Sequence, residues 1–112
     1  MQREIRINKL LEMKTLMPSD PFPTYALGLE YQEMGEAIKA IAFFEETMLK
    51  FSNYLPVYYQ LGQLLAENGE IQRAKTIFEA GILIARTTKD LKTMGELQEA
   101  LINIEEWAIL TY

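Results

Sequence analysis

Residues 21–54 read PFPTYALGLEYQEMGEAIKAIAFFEETMLKFSNY, and residues 55–88 read LPVYYQLGQLLAENGEIQRAKTIFEAGILIARTT. Laid over one another without a gap, the two stretches agree at ten positions, where unrelated segments of this length would agree at roughly two. Leu27, Gly28, Gly35, Glu36, Ala40, Phe44, Glu45 and Leu49 recur as Leu61, Gly62, Gly69, Glu70, Ala74, Phe78, Glu79 and Leu83, and Tyr25/Tyr59 and Glu33/Glu67 complete the set. A fixed period of 34 residues is the mark of a repeat architecture, in which one supersecondary unit is copied and stacked.

The repeat is helical. Apolar residues recur at three- and four-residue steps and no stretch alternates with period two, so an all-α chain without a sheet is expected. Six helices are expected, over about residues 3–17, 22–34, 37–51, 56–68, 71–86 and 91–110. Pro18, Asp20, Pro21 and Pro23 end the first and begin the second, because proline breaks a helix interior but suits a first turn. Gly35 and the pair Asn68-Gly69 stop the first helix of each repeat, and Asp90 is a good cap for the last. Such short connections make neighbouring helices antiparallel hairpins. Gly28 and Gly62 fall in helix interiors, where glycine costs about 1 kcal/mol relative to alanine. The cost is tolerated where a backbone must come close, with Ala40 and Ala74 expected opposite and Phe44 and Phe78 filling the wedge between paired helices. Gly81 and Thr47 are the small positions where a following helix would press.

The spacing Leu27-Gly28-x-x-Tyr31 then Ala40-x-x-x-Phe44, and Tyr58-x-x-Leu61-Gly62-x-x-Leu65 then Ala74-x-x-x-Phe78, resembles the tetratricopeptide repeat. The chain departs from that pattern at Thr24, where a large aromatic is usual, and at Ser52 and Arg86, where a closing proline is usual. The resemblance implies antiparallel hairpins stacked as a right-handed superhelix in a single domain spanning 1–112. Within it, 3–18 is an N-terminal half-repeat helix, 21–54 and 55–88 are full repeats, and 90–110 is a C-terminal capping helix. Leu91, Met94, Leu97, Leu101, Ile104 and Ala108 would face the stack, leaving Ile102, Trp107, Ile109 and Tyr112 as surplus apolar surface.

Composition narrows the function. The chain has 112 residues, 49% apolar and 24% charged, with a net charge of −5 and neither cysteine nor histidine. A phosphate backbone calls for a basic patch, so nucleic acid is not expected. The mildly basic start (Arg3, Arg6, Lys9, Lys14) is read as a solvated helix face. Disulfides and a metal site are not expected, nor a signal peptide or a membrane span, and the default address is cytoplasmic. Catalysis has little material, because adjacent carboxylates such as Glu45-Glu46 and Glu105-Glu106 point about 100° apart on a helix and no glycine-rich phosphate loop is present. A non-enzyme without cofactors is expected.

By resemblance, the first helix of each hairpin lines a concave groove that holds a peptide or protein segment. The matching positions are Phe22, Tyr25, Leu29, Gln32 and Glu33 in one repeat, and Pro56, Tyr59, Gln63, Ala66 and Glu67 in the other. Rings supply contact area at low entropic cost, and carboxylates favour a ligand carrying Lys or Arg. Some relatives grip chaperone C-termini with a cationic clamp, but the clamp positions here hold Tyr25, Leu29 and Gln60, so acidic chaperone tails are not expected to bind. The alternative function is a structural subunit that self-associates, as a two-fold homodimer, through Ile102, Trp107 and Ile109 on the last helix.

Overall fold

The computed structural model describes residues 1–111; Tyr112 lies outside them. The described residues form six α-helices and no strand: α1 (Gln2–Leu16), α2 (Pro21–Glu33), α3 (Ala37–Lys50), α4 (Pro56–Glu67), α5 (Ile71–Thr87) and α6 (Leu91–Thr111). Every boundary lies within two residues of the expected one. No helix among the described residues is long and apolar enough to cross a membrane. The chain divides into two compact units, residues 1–54 and residues 55–112.

In the first unit, the Asp20 carboxylate accepts the Phe22 amide at 2.9 Å and Pro21 occupies the first helical position, so α2 starts on a satisfied cap. Leu27, Ala40 and Phe44 are fully buried between α2 and α3. A Cβ placed on Gly28 would lie 2.5 Å from Phe44 Cδ1. The glycine therefore makes room for the phenylalanine ring itself; it was expected to face Ala40, but the larger side chain occupies the gap.

α1 packs along α2 with no buried residue and reaches α3 through an ion pair. Ion pairs add to the contact of its half-buried Ile7, Leu10 and Met13. Glu30 accepts from Arg6 Nε at 2.8 Å and Arg6 Nη2 at 3.2 Å, and from Arg3 Nε at 3.3 Å, while Arg3 Nη2 reaches Glu33 at 3.0 Å. Lys14 meets Glu46 at 2.8 Å. Arg3, Arg6 and Lys14 of the basic start are thus paired within the chain while Arg6 and Lys9 stay exposed, so the face is solvated, as expected, and largely charge-matched.

The second unit repeats the device and extends it. Leu61, Leu65, Ala74 and Phe78 are fully buried, and a Cβ on Gly62 would fall 2.7 Å from Phe78 Cδ1. α6 packs on α5 at Gly81, where an added Cβ would meet Tyr58 Cβ at 2.8 Å and Leu97 Cδ1 at 2.9 Å. Small size at that position admits the following helix, as expected. α6 buries Leu97, Ala100 and Ile104, whereas Leu91, expected inward, is 69% exposed. Met94, Leu101 and Ala108 are half-buried, so the inward stripe follows the expected spacing from Met94 onward and only the first residue of the helix, Leu91, points to solvent.

Three hairpin turns share one geometry. The amides of Gly35, Gly69 and Lys89 bond to the carbonyls of Gln32, Ala66 and Arg86, and the next amides reach back to Tyr31, Leu65 and Ala85. This double closure needs a left-handed residue, and φ is 76° at Gly35, 83° at Gly69 and 63° at Lys89. Lys89 is the non-glycine exception, and it is followed by Asp90, whose carboxylate accepts the Thr93 amide and hydroxyl at 3.1 and 2.8 Å.

Candidate functional site: a trough between α4 and α6

Residues 59, 63, 66 and 67 lie on one face of α4, at steps of four, three and one, and residues 96, 99, 100, 103, 104 and 107 lie on one face of α6. The two stripes face each other across a trough within the second unit. Its N-terminal part on α6 is a hollow of about 230 Å³ lined by Tyr59 and Gln63 opposite Glu96, Glu99, Ala100 and Asn103. Its other part is a hollow of about 330 Å³ lined by Gln63, Ala66, Glu67, Ile71, Ile104 and Trp107. Gln63 belongs to both, so the two hollows adjoin along the trough. One end is polar and acidic, and the other is mainly apolar with the chain's single tryptophan.

Of the expected groove residues, this trough brings together Tyr59, Gln63 and Glu67, with Ala66 beside them. Tyr59 leans on Phe78, ring centroids 6.4 Å apart. Pro56, also expected there, starts α4 and is exposed outside the trough, and the remaining expected residues sit on α2 in the first unit. Phe22 is 49% exposed, and Leu29 and Gln32 are half-buried. Tyr25 is also half-buried, packed against Phe44 at 5.8 Å and edge-on to Tyr54 at 5.3 Å. Glu33 is exposed but carries the ion pair to Arg3. The ring of Tyr25 therefore braces a local aromatic cluster, and the charge of Glu33 is already matched. Burial raises the Tyr54 hydroxyl above its ordinary pKa, with the Asp20 charge adding to it, so that ring stays neutral at physiological pH.

The α6 contributors Glu96, Glu99 and Asn103 were absent from the expected site. Their positions, 96, 99/100, 103/104 and 107, keep helical spacing, but α6 lies outside the two aligned segments and so offers no repeat-equivalent position to mark them. The three residues assigned to self-association do not form one patch. Ile102 and Ile109 are two turns apart on one face, 56% and 76% exposed. Trp107 is five residues from Ile102, about 140° around the helix, and turns into the trough.

The family model described as Tetratricopeptide repeat matches residues 55–88. The crystal structure of a tetratricopeptide repeat domain protein from Salinibacter ruber superposes with a TM-score of 0.73 at 34% identity, covering 79% of this chain and 98% of that one. A solution structure of such a protein from the same organism gives 0.75 at 35% identity, covering 80% and 90%. Among curated proteins, surface lipoprotein assembly modifier 2 of Haemophilus influenzae is 30% identical over 83 residues, 74% of this chain. The chain spans only 17% of that relative's length.

Proposed function

Because this chain belongs to the tetratricopeptide repeat family, whose members are protein–protein interaction scaffolds, we propose that it is a non-enzymatic module that takes a segment of another protein into the trough between α4 and α6. The supporting observation is the trough itself. Two helices are held apart along parallel stripes, and between them stand an aromatic ring, amide groups able to bond a peptide backbone (Gln63 and Asn103), carboxylates and an apolar end with a tryptophan. That mixture of rigid rings and adaptable polar groups is what recognition of a peptide needs. The relatives named for surface lipoprotein assembly fit a module that handles other polypeptides.

Crosslinking capture with the full chain tests it, using Tyr59→Ala beside Tyr25→Ala. Captured segments should be lost from the Tyr59 variant and kept by the Tyr25 variant, whose ring serves the fold of the first unit. Retention of the same segments by Tyr59→Ala would move the working surface away from the trough.

The second reading is self-association through the outer face of α6. It is favoured by Ile102 and Ile109 together with Leu110, 84% exposed, and it leaves Trp107 out of the contact.

A further inference from the structure

The trough divides its chemistry along its length, and that division specifies a ligand. Glu96 and Glu99 lie one turn apart on α6 at the polar end. Among the described residues neither has an ion-pair partner, unlike Glu30, Glu33 and Glu46, which are matched by Arg3, Arg6, Lys14 and Lys50. Glu67, at the other end, is also without one. Trp107 and Ile104 line the apolar end with Ile71 across from them. Unmatched carboxylates inside a concave surface attract a cation more strongly than carboxylates on a convex one, because the low-dielectric walls focus the field.

We propose, building on the reading of the trough as a peptide site, that it selects a segment pairing a Lys or Arg side chain with a bulky apolar side chain at a set separation. The cation sits between Glu96 and Glu99, and the apolar group packs on Trp107 and Ile104. The separation follows from helix geometry. Trp107 is eight residues beyond Glu99 and eleven beyond Glu96, which at a rise of 1.5 Å per residue is about 12–16 Å. An extended ligand covers that distance in about four or five residues. The chain supplies a precedent for the polar half of this recognition, since Glu30 holds the Arg6 guanidinium through two hydrogen bonds. The apolar half supplies most of the binding energy, and the carboxylates supply register and partner choice.

Trp107 is the only tryptophan in the chain, so its emission reports occupancy. The probe is a short synthetic peptide with two adjacent lysines separated by four alanines from a Phe-Leu pair. Beside it are versions with glutamate for lysine, with alanine for Phe-Leu, and with one alanine as spacer. The full chain is titrated as wild type and as Glu96→Gln/Glu99→Gln, Tyr59→Ala and Glu33→Gln, each checked by circular dichroism for intact helix content. The expected result is a saturable shift of Trp107 emission with the first peptide, weakened by added salt. Affinity should fall about three- to tenfold in the Glu96/Glu99 variant, stay unchanged in Glu33→Gln, and be lower for all three altered peptides. Equal binding of the lysine and glutamate peptides, or full affinity in the Glu96/Glu99 variant, overturns the ligand assignment while leaving the trough as a binding site. Peptide binding that survives Tyr59→Ala undiminished overturns the trough reading itself. A Trp107 shift that grows with protein concentration in the absence of peptide assigns the trough to a second copy of the chain and overturns this proposal.

Discussion

Glycine does three different jobs in this chain, and substitution separates them. At Gly28 and Gly62 the missing side chain is the space taken by Phe44 and Phe78. Alanine would gain about 1 kcal/mol of helix propensity there, but it would drive a methyl group into a buried ring that has nowhere to go. Overpacking of that kind costs about 1–3 kcal/mol, so Gly28→Ala and Gly62→Ala should each lower the midpoint of urea unfolding. At Gly95, inside α6, an added Cβ meets nothing within 4 Å. Gly95→Ala should therefore stabilise by about 1 kcal/mol in the same assay. Lys89 shows the third job in reverse. It holds a left-handed turn that Gly35 and Gly69 fill elsewhere, and Lys89→Gly should raise stability by about 1 kcal/mol. The mid-helix glycines announced close approach in the sequence, but the partner did not follow from spacing. Ala40 and Phe44 lie one turn apart on the same helix face, and only the folded packing distinguishes them. Lys89 carried a weak signal: the order left-handed residue, acid, apolar residue is shared by Gly35-Glu36-Ala37, Gly69-Glu70-Ile71 and Lys89-Asp90-Leu91.

Among the elements, α1 is the one whose attachment responds to solution conditions. It buries no residue completely and hangs on carboxylates of α2 and α3. The hydrogen bond from Arg6 is the main cause that holds Glu30 below the ordinary carboxylate range, with Arg3 adding to it against a burial cost. At Glu46, burial works against the charge, yet the hydrogen bonds from Lys14 and Lys50 outweigh it. A carboxyl whose pKa is lower in the folded chain stabilises that chain above its unfolded value and ceases to do so as pH falls through the folded one. The attachment of α1 is therefore complete at neutral pH and weakens below roughly pH 4. Hydrogen exchange should show α1 amides losing protection in acid, or in concentrated salt at neutral pH, before those of α4 and α5. Equal loss in all helices would contradict this. None of these pairs was legible from one sequence, because Arg3 and Glu30 are 27 residues apart and a charge on an exposed helix face has many available partners. The helix itself was legible, as were all six, because apolar spacing and capping residues are local signals.

For the molecule as a whole, the 34-residue period decided the fold. Ten coincident residues place equivalent side chains in equivalent hairpins, and the repeat model matches the second of the two aligned segments, residues 55–88. The candidate site was half legible. Tyr59, Gln63 and Glu67 followed from repeat equivalence, whereas Glu96, Glu99 and Asn103 belong to a helix that falls outside the two aligned segments. Self-association belongs to this scale too. If the outer face of α6 pairs two copies, Ile102→Glu with Ile109→Glu should convert a dimer to a monomer by light scattering and leave Trp107 emission unchanged. The glycine–phenylalanine interlock also bears on how such a chain can diverge. Neither member of a pair can be exchanged alone without loss: enlarging residue 28 requires a smaller residue 44, and trimming residue 44 leaves a void until residue 28 grows. This couple should therefore change only in step, so relatives that have lost the glycine should be found to have lost the ring as well.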